Sequence, residues 1–533
     1  MYLTQGLHRA VQQKPDHIAV RCGRRQRTFR QLAERVARLA GALQALGMRE
    51  GDRVAMLALN SDRYVEYQMA VPWGGGVMNP CNTRWSAAEI LYALNDSGST
   101  ILLVDENFRA LVEQVRGEAT TLREVIYCDD GGDGDDGSDG APGTRAVPPG
   151  MHGYEALLAA TAPVPDAMRR GEDLAGIFYT GGTTGFPKGV MLSHANLCSS
   201  GLALHAEGLA TRGGTYLHAA PMFHLADMGL AMPHWIEGNT HAVVPAFSVE
   251  GVLETLERDR VTHVLLVPTM IQMLVDHPAM RQPRDLGALR TIAYGASPIS
   301  EAVLERAMTA LPGVEFVQAY GMTELSPLAT ILPPLYHSAQ GRGLGKLRSA
   351  GRASYCTEVR IVDPLGREAP RGCVGEVVAR GPNVMQGYWN KPEQSAEALR
   401  DGWMHTGDGG YMDEDGFIFI VDRMKDMIIS GGENVYSAEV ENALAQHGAV
   451  ASCAVIGIPS AEWGEAVHAV VVRRPGADVA AEALIAHCKT LIAGYKCPRS
   501  VQFRDAMPLS GAGKILKTEL RKPYWEALAR QVG

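Results

Sequence analysis

The chain has 533 residues, of which 46% are hydrophobic and 20% are charged, so it is long enough for two to four ordinary soluble domains. It carries 50 lysines and arginines against 59 aspartates and glutamates, a net charge of −9. That balance excludes a generally positive surface of the kind that attracts nucleic acid or anionic lipid. Six aspartates of Asp129–Gly140 supply most of the negative charge. Because this stretch lacks the spacing of a calcium loop, we expect a solvated surface loop there.

The placement of the cysteines and the hydropathy of the sequence indicate the cellular compartment of the protein. Nine cysteines are scattered without a Cys-x-x-Cys pair or a cysteine/histidine cluster at zinc spacing, which is typical of a reducing compartment. No stretch reaches the ~18 apolar residues that a membrane span needs. We therefore expect a cytoplasmic protein without a transmembrane segment.

The first part of the chain alternates helical and extended patterns. Thr28 and Gln31 form a capping-box pattern before apolar residues at helical spacing, and Gly47 ends that helix. The following strands and helices are predicted next: strands at Val54–Leu59, Ile101–Val104, Val264–Val267 and Thr291–Tyr294, and helices at Thr269–Asp276 and Ser300–Leu311. Strands separated by helices predict βαβ units and a largely parallel sheet.

Beyond Asp422 the pattern changes to short helices and long strands. The predicted elements are helices at Ala438–Ala445 and Ala480–Ile492, strands at Ala451–Gly457 and Ala466–Val472, and an amphipathic tail at Glu519–Gln531. About a hundred residues suffice for a separate α+β domain. We therefore expect an α/β protein with a large N-terminal domain of βαβ subdomains (1–424, with a β-rich subdomain at about 340–424) and a small mobile C-terminal domain (425–533).

A Gly- and Thr-rich segment, Tyr179–Gly189, has the composition of an anion-binding loop. Its glycines, threonine hydroxyls and Lys188 can present N–H groups, O–H groups and an ammonium to a polyphosphate. A Walker loop places its lysine at the start of a helix, whereas Val190–Leu192 looks extended here. The segment therefore predicts a loop between two strands and disfavours a Walker-type NTPase. A Gly/Thr hairpin that binds nothing is the alternative for the loop taken alone.

The same segment resembles the phosphate loop of the adenylate-forming superfamily, which includes acyl-CoA synthetases, peptide-synthetase adenylation domains and firefly luciferase. Further segments follow in the order of that family: Pro221–His224, Tyr320–Glu324, Gly402–Asp408 with Asp422–Tyr436, and Pro508–Lys514. Together they span most of the chain. One departure is Gly181, which stands where the family often has serine.

The resemblance implies an ATP and AMP site made of residues from all of these segments. Those expected near the phosphates are Thr180, Gly181, Gly182, Thr183, Thr184, Gly185, Lys188 and Thr323; those near adenine are Gly295, Ala296, Ser297, Gln318, Ala319, Tyr320 and Gly321; those on the ribose are Asp408 and Arg423. It also implies that Thr180 and Glu324 hold Mg²⁺. Oxygen ligands such as these are the kind that Mg²⁺ prefers.

The resemblance further implies a reaction in two steps. Lys514 would bridge the substrate carboxylate and the α-phosphate during adenylation, with His224 beside the acyl group as an aromatic gate. Lys425 matches the hinge position of the family. A rotation there would withdraw Lys514 and present Ser430, Gly431, Gly432, Glu433 and Asn434 to coenzyme A.

The expected activity is an ATP-dependent, AMP-forming acyl-CoA ligase that releases pyrophosphate, with a carboxylic acid, ATP and CoA as its small-molecule partners. The expected acyl pocket, His224–Gly229, Tyr294–Ala296, Ala319 and Met322–Leu328, is mostly small or apolar. That composition fits an aliphatic or arylalkenoic acid better than a polar amino acid, which would need a buried carboxylate to pair its ammonium. The segment from Lys425 to Tyr436 resembles those of fatty-acid and aromatic-acid ligases. The resemblance therefore implies a medium- or long-chain fatty acid, with an aromatic acid of cinnamate or benzoate type as the alternative. An enzyme that loads a carrier protein is the further alternative, and a homodimer is left open.

Overall fold

The computed structural model describes residues 1–129, 146–180, 187–297, 299–423, 426–430, 433–460, 462–511 and 513–529. Within these ranges the first sixteen strands are, in chain order, β1 (Ile18–Cys22), β2 (Arg25–Thr28), β3 (Arg53–Leu57), β4 (Val77–Pro80), β5 (Ile101–Val104), β6 (Glu124–Tyr127), β7 (His152–Gly153), β8 (Leu174–Thr180), β9 (Lys188–Ser193), β10 (Thr215–His218), β11 (Thr240–Val243), β12 (His263–Leu265), β13 (Thr291–Gly295), β14 (Glu315–Tyr320), β15 (Thr330–Leu332) and β16 (Arg352–Ala353). The later strands are β17 (Glu358–Val362), β18 (Gly375–Arg380), β19 (Gly387–Tyr388), β20 (Leu399–Arg400), β21 (Trp403–Met412), β22 (Ile418–Arg423), β23 (Ile428–Ser430), β24 (Glu433–Val435), β25 (Val450–Ser460), β26 (Gly464–Arg473) and β27 (Ser500–Arg504).

The helices of the described ranges are α1 (Gln5–Gln13), α2 (Phe29–Ala45), α3 (Asp62–Trp73), α4 (Ala87–Ser97), α5 (Glu106–Val115), α6 (Tyr154–Ala160), α7 (His194–Ala206), α8 (Leu225–Glu237), α9 (Val249–Arg258), α10 (Pro268–Asp276), α11 (Glu301–Ala310), α12 (Ala339–Arg342), α13 (Pro392–Ala398), α14 (Ser437–Ala445), α15 (Ala481–Leu491) and α16 (Lys517–Ala529). Short 3₁₀ turns lie at Arg116–Glu118, Pro278–Arg281, Thr323–Leu325, Pro334–His337 and Gly494–Lys496. None of the helices described combines the length and the apolar content needed to cross a membrane.

Two mixed sheets with largely parallel centres form the body of the large N-terminal domain. One has the order β16-β15-β14-β13-β12-β10-β11-β1-β2 and the other β19-β9-β8-β4-β3-β5-β6-β7. The strands from β14 to β1 in the first sheet run parallel, as do those from β8 to β7 in the second. The prediction of an α/β fold with parallel pairing is confirmed. The alternation of strands and helices did not indicate that the parallel strands divide between two sheets.

Local signals in the sequence define where several of these helices begin. The Thr28 hydroxyl accepts from the Gln31 N–H while the Gln31 side chain accepts from the Thr28 N–H, which is the predicted capping box of α2. Ser193 and Asn196 form a second capping box at the start of α7, whereas at α11 only the Ser300 hydroxyl takes part, accepting from the Val303 N–H. Such caps satisfy N–H groups that have no partner inside the helix, so the helix starts there whatever packs against it later.

The last two sheets belong to the end of the large domain and to the smaller C-terminal domain. The strands β17, β18, β20, β21 and β22 form an antiparallel sheet that ends at Arg423. The strands β23 to β27 form another sheet, packed on α14, α15 and α16, that starts at Ile428. The predicted boundary at Met424 and Lys425 and the acidic run from Asp130 to Gly140 lie outside the described residues. We infer that the domains divide between Arg423 and Ile428.

Candidate active site

The predicted phosphate loop joins two antiparallel strands. Thr180, the last residue of β8, lies opposite Lys188, the first residue of β9. The residues between them therefore connect the two strands of an antiparallel hairpin. This is the connection expected from the sequence, and it differs from the strand-to-helix connection of a Walker loop. The loop residues Gly181, Gly182, Thr183, Thr184 and Gly185 lie outside the described residues.

Tyr388 links the strand that carries Lys188 to the predicted metal carboxylate. Its hydroxyl donates to Oε1 of Glu324 at 2.9 Å, and the Lys188 ammonium lies 4.9 Å from the centre of its ring. Tyr388 pairs with Val190 across β19 and β9, which fixes the ring beside the base of the phosphate loop. Burial, followed by the negative charge of Glu324, raises the pKa of Tyr388 well above its usual value. Tyr388 therefore remains a neutral hydrogen-bond donor at any working pH.

The carboxylate of Glu324, the predicted Mg²⁺ ligand, is almost completely buried. Glu324 is only 6% exposed and lies in the 3₁₀ turn with Thr323. Among the residues that the structure describes, no group of three or more His, Cys, Asp or Glu side chains could hold a metal ion. One carboxylate near a phosphate loop fits Mg²⁺, because that ion takes few protein ligands and completes its shell with water and phosphate oxygens.

The ends of β13 and β14 form one wall of the cleft. Gly295 pairs with Ala319, and a Cβ atom on Gly295 would lie 2.1 Å from the carbonyl oxygen of Ala319. Only glycine permits this approach. The chain then turns at Ala296, whose φ of +67° is in the left-handed region. The predicted adenine segment therefore starts directly beside Ala319, at Gly295.

The predicted adenine and ribose residues are brought together by a hydrogen bond. The Tyr320 hydroxyl donates to Oδ2 of Asp408 at 2.8 Å, and Gly321 follows Tyr320 directly. Asp408 lies opposite Arg423 in the register of β21 and β22. Gln318, two residues before Tyr320, accepts from the Tyr294 hydroxyl at 3.3 Å. The residues predicted for adenine and for ribose are therefore in direct contact at Tyr320 and Asp408.

Lys514 of the C-terminal domain acts electrostatically on His224 of the large domain. Burial and, secondarily, the positive charge of Lys514 lower the pKa of His224 to about 4. The N–H of Ala226 donates to Nδ1 of His224 at 3.2 Å, so His224 caps α8 with its own ring. Since the imidazole is neutral and Nδ1 accepts, the hydrogen is on Nε2. The ring therefore offers an N–H donor where the sequence indicated only an aromatic gate.

Two of the predicted acyl-pocket segments are in contact, and two polar side chains from the predicted segments have buried hydrogen-bond partners. A Cβ atom on Gly229 would lie 2.3 Å from Cδ of Pro327, so α8 touches the turn after Glu324 with no space between them. Asp227 is fully buried, with Oδ2 2.6 Å from Nδ1 of His218. Tyr294, which we expected near the pocket, is instead fully buried in the second core with its hydroxyl 2.8 Å from Nε2 of His337. The side chains of alternate strand residues face opposite sides, which the apolar run alone did not resolve.

The predicted CoA segment lies on a hairpin of the C-terminal domain. Ser430 pairs with Glu433 across β23 and β24, and Glu433 and Asn434 are exposed. Lys425, Gly431 and Gly432 lie outside the described residues. The role of this segment in thioester formation stays a prediction.

Two sets of contacts around the predicted site were not expected from the sequence. The first is the Tyr388 hydroxyl on Glu324, because Gly387-Tyr388 lies between the recognised motifs and has no distinctive composition. The second is the set of contacts between α10 and the C-terminal domain, described below. Neither has a local signal, since each depends on which strands and domains become neighbours.

Comparison with known proteins agrees with this geometry. The model of the AMP-binding enzyme family matches residues 7–389, and that of the AMP-binding enzyme C-terminal domain matches residues 439–514. The chain belongs to the AMP-binding enzyme family. It is an adenylate-forming acid–thiol ligase of the acyl-CoA synthetase type, which uses ATP and CoA.

Relatives of known function cover almost the whole chain. It is 40% identical to a feruloyl-CoA synthase of Amycolatopsis sp over 518 residues, 97% of this chain and 98% of that protein. It is 36% identical to the fatty acid–[acyl-carrier-protein] ligase ScoC of Streptomyces coeruleorubidus over 98% of this chain and 96% of that one. The crystal structure of ATP-bound MatB from Rhodopseudomonas palustris superposes with a TM-score of 0.86 at 29% identity, covering 99% of this chain and all of that one.

Proposed function

We propose that the AMP-binding enzyme described here joins a compact aromatic acid of the arylpropenoate (ferulate) type to CoA through an acyl-AMP. The observation that carries the proposal is the contact between Gly229 and Pro327, which brings α8 against the turn after Glu324 at this point. A flat ring with a short side chain fits a pocket closed there, whereas a long alkyl chain needs a channel. This proposal replaces the fatty acid favoured by the sequence with the aromatic alternative.

Two further facts support an aromatic acid. The feruloyl-CoA synthase of Amycolatopsis sp shares 40% of its residues with this chain, more than the fatty acid–carrier ligase at 36%. An amino acid is disfavoured because Asp227, the one carboxylate in 224–229, already faces His218 and Tyr216. A buried ammonium would then have no counter-charge from that segment.

The first half-reaction needs positive charge and hydrogen-bond donors around two anions. Lys188 and Lys514 bring ammonium groups to the phosphates and to the acid carboxylate, and Nε2–H of His224 donates to the same carboxylate. Tyr320 stacks on adenine while Asp408 and Arg423 hold the ribose. Thr180 and Glu324 would hold Mg²⁺, whose charge offsets that of the phosphates when it is bound. The remaining phosphate, adenine and CoA residues keep the roles that the family resemblance gives them.

Attack of the carboxylate oxygen on the α-phosphorus forms the acyl-AMP anhydride, and the bond to pyrophosphate breaks. No protein nucleophile takes part, so the barrier is lowered by position and charge. In the second half-reaction the CoA sulfur attacks the acyl carbonyl carbon, the thiol proton passes to solvent, and AMP leaves. The C-terminal domain turns about Lys425 between the two steps so that the CoA segment replaces Lys514.

A panel of acids with ATP and CoA tests the proposal. The purified protein is given ferulate, 4-hydroxybenzoate, octanoate and palmitate in turn, and AMP and acyl-CoA are measured. We expect the highest kcat/KM with ferulate and the lowest with palmitate. A preference for palmitate over ferulate would overturn the aromatic assignment, and AMP formation without thioester would overturn the role of CoA.

A pocket variant sharpens the same test. Met322 is partly buried beside the core next to Tyr320, so Met322→Ala should deepen the pocket. We expect its kcat/KM for octanoate to rise relative to that for ferulate. Met168→Ala, which changes an exposed methionine, is the matched control and should leave the ratio unchanged. An unchanged ratio in Met322→Ala would show that this wall is not part of the pocket.

A further inference from the structure

Three side chains of α10 lie on one face of the helix and all contact the C-terminal domain. Thr269, Gln272 and Asp276 are three and seven positions apart, which places them along one side. The Thr269 hydroxyl donates to the carbonyl oxygen of Gly513 at 3.1 Å, and the Gln272 amide donates to that of Ala451. Nη1 of Arg474 lies 3.4 Å from Oδ2 of Asp276. A single helical face thus contacts three separate parts of the domain that carries Lys514.

The first of these contacts acts next to Lys514. The Lys514 N–H donates to the Ser510 hydroxyl at 3.0 Å, and the Ser510 N–H donates to the Lys514 carbonyl at 2.7 Å, so Ser510 and Lys514 are held together by two hydrogen bonds. Thr269 holds this loop at Gly513, while Arg84 donates to the Ser510 carbonyl at 3.3 Å. Two side chains of the large domain, Thr269 and Arg84, therefore hold this part of the chain by hydrogen bonds to its backbone carbonyls.

The same loop packs closely on the large domain. Gly513 has a φ of +77°, and a Cβ atom there would lie 3.0 Å from the Thr269 hydroxyl oxygen. A Cβ atom on Gly511 would lie 2.5 Å from Oδ1 of Asn82. Because both glycines lie so close to the large domain, the backbone next to Lys514 has little room to shift.

Asp276, at the C-terminal end of this helical face, also has a partner within the large domain. Arg306 of α11 donates to both carboxylate oxygens of Asp276, at 3.1 and 3.2 Å. This pair lies wholly within the large domain, so Asp276 keeps a partner when Arg474 moves away. The face can therefore release the C-terminal domain without leaving an unpaired charge.

We propose that Thr269, Gln272 and Asp276 of α10 form a docking face that holds the C-terminal domain with the segment around Lys514 against the large domain, and that these residues position Lys514 for adenylation only. The inference rests on the proposed two-step function. A residue of this kind acts through Lys514, so it should matter for acyl-AMP formation and be indifferent to thioester formation.

The two half-reactions separate this role from a general structural one. Adenylation is followed as pyrophosphate release from ATP and ferulate without CoA, and thioester formation as consumption of synthetic feruloyl-AMP with CoA. We expect Thr269→Val to lower the adenylation kcat about fivefold, the effect of one lost hydrogen bond, with KM for ATP unchanged. Thr269→Ser should restore the rate, and both variants should make thioester at the normal rate.

A matched control is available on the neighbouring helix. The Thr309 hydroxyl donates only within α11, to the carbonyl of Glu305 at 2.8 Å, and Thr309 is exposed. Thr309→Val should therefore leave both half-reactions unchanged. The combination of Thr269→Val, Gln272→Ala and Arg474→Gln should lower adenylation by about 100-fold if the three contacts act independently. Equal losses in both half-reactions, or a Thr269→Val rate equal to that of Thr309→Val, would overturn the docking face.

A measurement without substrate distinguishes this failure from failure of the proposed function. Hydrogen exchange of the backbone amides at 513–516 should be faster in the triple variant than in the unmodified chain, because the loop spends less time docked. Unchanged exchange would overturn the docking face even if no acid in the panel were turned over. If Lys514→Ala kept full adenylation activity, the assigned role of Lys514 would fail first, and the docking face with it.

Discussion

Tyr388→Phe isolates the hydrogen bond that orients the predicted metal carboxylate. The substitution removes the hydroxyl that donates to Glu324 at 2.9 Å and keeps the ring that lies 4.9 Å from the Lys188 ammonium. Glu324 and Tyr388 are 6% and 8% exposed, so water cannot easily replace the lost donor. A hydrogen bond to a charged group contributes about 1.5–3 kcal/mol, which corresponds to a factor of about 10 to 150.

We expect the kcat of adenylation to fall by that factor. Without its donor the carboxylate of Glu324 is less well oriented toward Mg²⁺ and the phosphates, so kcat should fall and the Mg²⁺ concentration for half-maximal rate should rise. The assay is pyrophosphate release from ATP and acid over a Mg²⁺ titration. Tyr388→Leu, which also removes the ring, should be worse than Tyr388→Phe. If Tyr388→Phe had the Mg²⁺ dependence and kcat of the unmodified enzyme, the reasoning from this contact would be refuted.

The remaining predictions concern stability, the adenine wall and the hinge. Burial lowers the pKa of His263 to about 4, below its usual 6.5, so between these two pH values the unfolded chain binds a proton that the folded chain does not. The free energy of unfolding therefore falls as the pH drops from 6.5 towards 4, and between pH 7 and 5 this histidine should lower it by about 2 kcal/mol. His263→Gln should lessen the pH-dependent loss in urea unfolding, and an equal loss in both proteins would contradict this. Gly295→Ala should raise KM for ATP at least tenfold, because its Cβ would lie 2.1 Å from the Ala319 oxygen; a normal KM would show that the wall adjusts. Lys425→Pro should slow overall turnover while sparing adenylation, since proline restricts the linker, and full turnover would argue against the hinge.

Several features of this protein follow from short stretches of sequence. The capping boxes, the buried strand Ile101–Val104 and the strand–loop–strand reading around Lys188 agree with the structure because each depends on neighbours within a few residues. Family resemblance extended this to a site drawn from distant segments. The structure then brings Tyr320 to Asp408, and Gly513, the residue before Lys514, to Thr269, pairs that no local pattern joins.

Other features required knowledge of which elements become neighbours. The apolar run that ends at Tyr294 indicates a buried strand, but the side of the sheet that each residue faces depends on the strands beside it, and Tyr294 therefore faces His337. Similarly, the apolar composition of 224–229 fits either a fatty or an aromatic acid. The contact of Gly229 with Pro327, on which the aromatic proposal rests, joins two segments that are about a hundred positions apart in the sequence.

The sequence by itself determined the family, the α/β fold and the residue types of an adenylation site, because those depend on local propensity and on motifs whose order is read directly. The tertiary structure decided the partners: the Tyr388 hydroxyl on Glu324, 64 positions away, and the face of α10 beneath the Lys514 loop. Hydrogen bonds and close packing act over a few ångströms in space. Residues that are far apart along the chain therefore acquire their functional roles only when the sheets and domains assemble.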